Sequence, residues 1–165
     1  MSQLLTKPKR PARTFRTGPI TRGLRWFSVL ASLAITAWIL VRYPSLPDTV
    51  ATHFDLSGQA DDWGPRWSIL VLAGVMLLMS LGIAALSTRP RSFNYPSEIT
   101  ASNAQAVYRE GERMLVWTLL GTVLIYVGIA WATLESGGDL LLVVGLVVLV
   151  AASIIGIIRT VRAAR

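Results

Sequence analysis

Residues 68–87 read SILVLAGVMLLMSLGIAALS, a stretch without one charged residue, and its reading decides the fold. A bilayer core about 30 Å thick is crossed by roughly 20 apolar residues in helical form. Working outward, three more runs of this kind follow: Trp26–Val41, Met114–Leu134 and Leu140–Ile158. The first is short, but Arg25 and Arg42 at its ends can snorkel to the interface. The expected fold is therefore all-α: a polytopic membrane protein with four transmembrane helices.

Composition supports this class. The hydrophobic fraction is 53% and the mean hydropathy +0.54, above the range of a soluble domain. The 165 residues suffice for one small bundle and no second domain. There is no cysteine, which excludes disulfides, iron–sulfur clusters, thiolate zinc sites and cysteine nucleophiles. The net charge of +7 does not point to nucleic acid, because the basic residues flank apolar spans.

Their placement sets an expected topology. Lys7, Lys9, Arg10, Arg13, Arg16, Arg22 and Arg25 precede the first span. Arg89, Arg91, Arg109 and Arg113 lie between the second and third, and Arg159, Arg162 and Arg165 follow the fourth. All fall on one side, leaving only Arg42 and Arg66 on the other with Asp48, Asp55, Asp61, Asp62, Glu135 and Asp139. Lys and Arg resist translocation, so both termini are expected in the cytoplasm. Trp26 and Trp117 at inner ends, and Tyr43, Trp67 and Trp131 at outer ends, match the aromatic belts. The first span has the charged start of a signal peptide but no small-x-small cleavage site after it, so a retained anchor is expected. Arginine outnumbers lysine fourteen to two, which fits a GC-rich bacterial genome; the expected location is a bacterial cytoplasmic membrane, multi-pass.

The expected organisation is a disordered basic cytoplasmic tail over residues 1–22 and a single transmembrane domain over 23–165. The spans fall at about 24–43, 67–87, 113–134 and 139–159. The outer loop covers 44–66 and is short and ordered. The cytoplasmic loop covers 88–112. Within the outer loop, Thr49–Phe54 suits a short extended piece, while Leu56-Ser57-Gly58 and Trp63-Gly64-Pro65 carry turn chemistry. In the cytoplasmic loop, Ser102 and Gln105 have capping-box spacing, so a helix starts there and runs into the third span. Glu135-Ser136-Gly137-Gly138-Asp139 forms a tight hairpin that makes the third and fourth helices antiparallel neighbours. Small residues four apart, Ser80 and Ala84, Gly128 and Ala132, Ala152 and Gly156, allow close helix packing in lipid.

The chemistry available is sparse. No span holds Asp, Glu, Lys, Arg or His at its centre, which argues against a stand-alone ion-coupled carrier or proton relay. His53 is the only histidine, with Asp55 two residues on and Asp61 and Asp62 after it. A metal, if one binds, would use His53 and Asp55. Two spacings speak against richer chemistry. The glycine and closing glutamate of a calcium loop are not where that motif needs them, and no oxyanion-hole signature surrounds Ser57 and His53. The chain is read as not an enzyme, and no cofactor is expected. Trp67 reads as an interfacial anchor, and Trp63 as a lid folded over His53 and Phe54. The candidate ligand-binding residues are His53, Phe54, Asp55, Asp61, Asp62 and Trp63. Candidate partner contacts are Asn94, Tyr95 and Tyr108.

Residues 46–64, LPDTVATHFDLSGQADDWG, resemble a bacterial membrane family known as domain of unknown function 1648. The matching positions are Pro47, Val50, His53, Phe54, Asp55, Gly58, Asp61 or Asp62, Trp63 and Gly64. Phe93-Asn94-Tyr95-Pro96, with Asn103 and Tyr108, is more loosely similar to related proteins. The resemblance implies that any shared activity lies in the outer loop. The same module occurs in SdpI-type immunity proteins, so immunity to a toxin peptide, or signal relay, is what the likeness permits; those proteins carry further spans after it. The expectation is a non-enzymatic integral membrane protein that binds an extracytoplasmic ligand, lipid or toxin peptide through this loop. The alternative is an accessory subunit of a larger transporter or respiratory assembly. Expected partners are the bilayer and other membrane subunits or a second copy of the chain, and no nucleic acid.

Overall fold

The computed structural model describes residues 10–55, 59–135 and 137–165, so Leu56-Ser57-Gly58, Ser136 and the first nine residues lie outside it. Four helices dominate: α1 (Pro19–Arg42), α2 (Ser68–Ser87), α3 (Ala104–Glu135) and α4 (Asp139–Ala163). All four are long and apolar enough to cross a membrane. α2 coincides with the charge-free run, and the others extend beyond theirs at the polar ends.

α3 is the axis of the bundle. Its 32 residues extend about 48 Å at 1.5 Å per residue, well beyond a bilayer core of about 30 Å. Residues on several of its sides are buried, among them Val107, Tyr108, Val116, Leu119, Val123, Tyr126 and Ala130. α1 meets it with one stripe, Ser28, Ser32, Ile35 and Ile39, at helical spacing. α2 does the same with Ile69, Ala73, Met76, Ser80, Ala84 and Ser87. Exposed apolar residues such as Leu30, Leu33 and Leu40 of α1 and Val71, Val75 and Leu78 of α2 cover the outward sides, as lipid requires. At mid-depth Thr36 donates to the Ser32 carbonyl, 2.8 Å, and shares a 2.9 Å hydrogen bond with the Tyr126 hydroxyl, linking α1 to α3.

α4 packs chiefly on α3, through glycine. A Cβ added at Gly121 would lie 2.7 Å from the Leu149 nitrogen, one at Gly128 2.7 Å from the Leu142 nitrogen, and one at Gly145 2.6 Å from the Ile125 nitrogen. Backbone thus meets backbone where side chains would hold the helices apart. The turn between α3 and α4 needs glycine for a second reason. Gly137 and Gly138 have φ of 122° and 94°, in the left-handed region that L side chains avoid.

Three expectations need correction. The fold is not purely helical: the loop after α1 holds an antiparallel hairpin of β1 (Thr49–Phe54) and β2 (Ala60–Pro65). Trp63-Gly64-Pro65 is thus strand, paired with Thr49–Ala51. The β-branched residues of Thr49-Val50-Ala51-Thr52 favour extension, and a lone hairpin gains stability only by packing on something. Here Val50 and Ala51 are buried, and β1 packs on α2 and α3.

The second correction concerns the tail. Residues 10–18 form no disordered segment, and Pro19–Arg22 already belong to α1. The tail packs across the start of α3: Arg10 donates to the Phe93 carbonyl at 2.5 Å, and Tyr108 donates to the Pro11 carbonyl at 3.2 Å. Gln105 accepts from the Thr14 amide and donates to the Ala12 carbonyl, at 2.8 and 2.7 Å. That use of Gln105 explains the third correction. Ser102 and Gln105 do not cap α3; Thr100 and Asn103 hydrogen-bond reciprocally instead.

The bundle therefore has two distinct ends. The hairpin end carries the sheet, the α3–α4 turn, the Trp38–Trp131 ring pair and the Arg42–Glu135 bridge at 2.7 Å. The basic end gathers the tail, the 88–103 segment and the C-terminus, where Asn103 donates to the Ala164 carbonyl at 3.0 Å.

Candidate functional site

At the hairpin end, α2 and α4 both lean on α3 and leave a crevice of about 370 Å³ between them. Ile69 and Leu72 of α2, Ile125 and Ile129 of α3, and Leu142 and Leu146 of α4 make its walls apolar. Strand β1 forms the roof, with Thr52, His53, Phe54 and Asp55 at the opening. Ser68 and Thr133 add two hydroxyls below them. The crevice is thus apolar among the helices and polar at its β1 lip.

Irregular pairing shapes the roof. The register shifts on both sides of His53, which lies opposite Asp62 while Phe54 lies opposite Ala60. Such bulges re-aim side chains. His53 Nδ1 meets Asp61 Oδ1 at 2.5 Å in an exposed contact. That hydrogen bond, then the charge of Asp61, raises the His53 pKa above 6.5, with smaller contributions from Asp62 and Asp55. The sign follows. A raised folded pKa means the contact stabilises the hairpin fully below pH 6.5 and loses that contribution as pH rises through the folded value. We expect the His53 ring resonances to titrate above those of a model imidazole, and Asp61→Asn to bring them back. An unchanged titration in Asp61→Asn would mean that Asp61 does not set the protonation. The pair is exposed, so the shift should shrink at high salt.

The six loop residues singled out from sequence do not act as one group. His53, Phe54 and Asp55 line the crevice, and Asp61 reaches it through His53. Asp62 instead accepts from the Trp63 amide at 2.8 Å. Trp63 is 62% exposed and forms no lid over His53 and Phe54. Its strand, β2, is the outer one, and all its side chains but Gly64's position are exposed. Among the described residues no group of three metal-ligating side chains occurs, so His53 and Asp55 have no third ligand there. Gly58 of the motif lies outside the described residues.

Of the expected partner contacts at the basic end, Tyr95 and Tyr108 pack into the fold itself. Tyr108 is fully buried, and Tyr95 stacks between it and Phe93 at centroid separations of 6.0 and 5.8 Å. Burial raises the Tyr95 phenol above its usual range, so it stays protonated and donates to the Pro90 carbonyl at 2.9 Å. Only Asn94 of the three is exposed.

Sequence reading missed one centre altogether. Glu112 is 1% exposed, although it lies in the most basic part of the chain. It accepts from Arg13 at 3.0 Å, from the Thr17 hydroxyl at 2.7 Å, and from Arg25. Arg25 also donates to the Ser87 hydroxyl at 2.9 Å. One carboxylate thus ties the tail, α1 and α3 together, with α2 held through Arg25. The signal was available: Glu112 follows Tyr108 and precedes Val116 by four residues, on the buried face of α3.

The fold and crevice define a class: a multi-pass helical membrane protein with a small sheet at one end of the bundle. Over residues 30–77 the chain matches the family model described as Domain of unknown function (DUF1648), which bears out the resemblance read from residues 46–64. That span runs from α1 through the hairpin into α2. An uncharacterized protein of Archaeoglobus fulgidus is 26% identical over 84 residues, 46% of each chain. The chain therefore spans about half the length of that relative. No solved structure matches it.

Proposed function

We propose that this is a non-catalytic membrane protein that binds an amphipathic ligand in the crevice beneath the hairpin. The observation that carries this reading is the crevice itself: apolar walls, reached under a strand whose lip bears His53 and Asp55. The lip and its surroundings are acidic, through Asp55, Asp61 and Asp62, so the favoured ligand has an apolar chain or face and a basic polar end. A membrane-active cationic peptide fits that description, in line with the immunity role that the family resemblance permits. The basic end of the bundle lies in the cytoplasm and the hairpin end outside it, on the distribution of Lys and Arg. A cysteine placed at Ala60 should accordingly react with an impermeant maleimide on intact cells.

Filling the crevice tests binding. Leu72→Trp adds a bulky ring to a half-buried wall position and leaves the roof intact. We expect it to abolish retention of a co-purifying or added cationic amphipathic peptide, scored by native mass spectrometry, while helicity is kept. His53→Ala should weaken retention by a smaller factor. Equal peptide retention by wild type and Leu72→Trp would reject the crevice as the site. If both instead carry the same stoichiometric membrane protein, the accessory-subunit reading takes its place.

A further inference from the structure

A second groove lies at the opposite end of the molecule, between α3 and α4, with a volume of about 350 Å³. Its floor is open because Ala151, Ala152 and Gly156 are small, and Met114 lies against Gly156 so closely that no Cβ fits there. Trp117 and Ile155 wall it on the side that faces lipid. Its polar rim consists of Glu110, Arg113 and Arg159.

The charges on that rim do not balance. Arg113 is bound to Glu110 Oε1 at 2.7 Å, which neutralises one cation with one anion. Arg159 forms no ion pair or side-chain hydrogen bond among the described residues, and it is exposed. Glu110 Oε2 is buried and has no hydrogen-bond donor there. The rim therefore carries one spare positive charge, on Arg159. An apolar groove leading from such a rim into the bilayer is complementary to an anionic phosphate carried on an acyl chain.

We propose that this groove is a binding site for an anionic phospholipid, for which phosphatidylglycerol is the probe. The acyl chain lies along Ala152 and Ile155, over the floor that the small residues leave. The phosphate meets the exposed Arg159 guanidinium at the rim. Trp117 sits beside them as an aromatic residue does at headgroup depth. Basic pockets between transmembrane helices hold anionic headgroups in this way, with each basic residue near the surface worth about 1 kcal/mol. The site is independent of the crevice under the hairpin, since the two share no residue.

The test uses the full chain in nanodiscs of mixed phosphatidylglycerol and phosphatidylcholine with matched acyl chains, and reads bound lipid by native mass spectrometry after release. Wild type should retain phosphatidylglycerol over phosphatidylcholine. Arg159→Gln should lower that preference about fivefold, the equivalent of about 1 kcal/mol. Arg159 is exposed, so the variant is expected to fold, and unchanged helicity and gel filtration would check this. Arg162→Gln removes an equal charge one turn away, outside the groove, and should leave the preference unchanged. The proposal is overturned if wild type shows no preference. It is also overturned if Arg159→Gln keeps the preference, or if Arg162→Gln loses as much, because attraction would then be a diffuse surface effect. Ala152→Trp, which blocks the acyl path while keeping every charge, should lose the bound lipid as well; if it does not, the lipid is not lying in this groove.

Discussion

Glu112→Ala is expected to destabilise the protein by about 3 kcal/mol and to free the N-terminal segment from the bundle. The carboxylate is 1% exposed and accepts hydrogen bonds from Arg13, Thr17 and Arg25. Removing one partner of a buried ion pair leaves the other charge desolvated, which costs about 3–5 kcal/mol. The lower figure applies because the Arg13 side chain is 25% exposed and regains some water. Two readouts separate the global from the local effect. Detergent titration followed by helicity gives the loss of stability, and limited trypsin digestion reports whether the bond after Arg13 has become accessible. Glu112→Gln keeps the acceptor for Thr17 and should cost less. Replacing Arg13 and Arg25 by Met together with Glu112 by Leu should recover much of the loss, since an apolar set of similar volume needs no counter-charge. Trypsin resistance and stability both equal to wild type in Glu112→Ala would show that the carboxylate does not hold the basic end together.

The second large effect is expected at the α3–α4 contact. Gly121→Ile and Gly128→Ile each place a branched side chain where even a Cβ would come within 2.7 Å of a backbone nitrogen on α4. Overpacking a well-packed interior costs about 1–3 kcal/mol where side chains can give way. Here the obstacle is backbone, so each variant should reach or exceed the top of that range. Both helices line the crevice under the hairpin, through Ile125, Ile129 and Leu142, so ligand retention should fall in parallel. Gly82→Ile is the control. Nothing lies within 4 Å of its Cβ position on α2, and the change should cost little. A small, equal loss in all three variants would mean that helix propensity alone was measured, and that the close glycine contact carries no special weight.

Much of the architecture was legible because a bilayer imposes one rule on length and polarity. The run at 68–87 reappears residue for residue as α2, and the Gly-Gly turn before α4 follows from its two left-handed residues. The β-hairpin was only half legible. Thr49–Phe54 reads as extended, but the pairing of Trp63-Gly64-Pro65 as its partner strand depends on Val50 and Ala51 finding a surface on α2 and α3. Trp63 illustrates the limit. Its type suggests a lid, yet it belongs to the outer strand and faces away.

Residue chemistry and periodicity alone determined three things: the class of protein, the number and placement of its long helices, and the polar loop on which the family resemblance rests; of the glycines that seat α4 on α3 they marked Gly128 but not Gly121 or Gly145. These follow from local rules, in which each backbone group must be satisfied within its own helix and each apolar run must match the thickness it crosses. Only the tertiary structure decided which polar groups meet. Glu112 finds Arg13 and Arg25 across 99 and 87 residues of sequence, and the crevice needs α2 and α4 to diverge from a common neighbour. Such contacts are set by how the helices rotate and lean on one another, and a linear pattern records the face of each helix but not the face it meets.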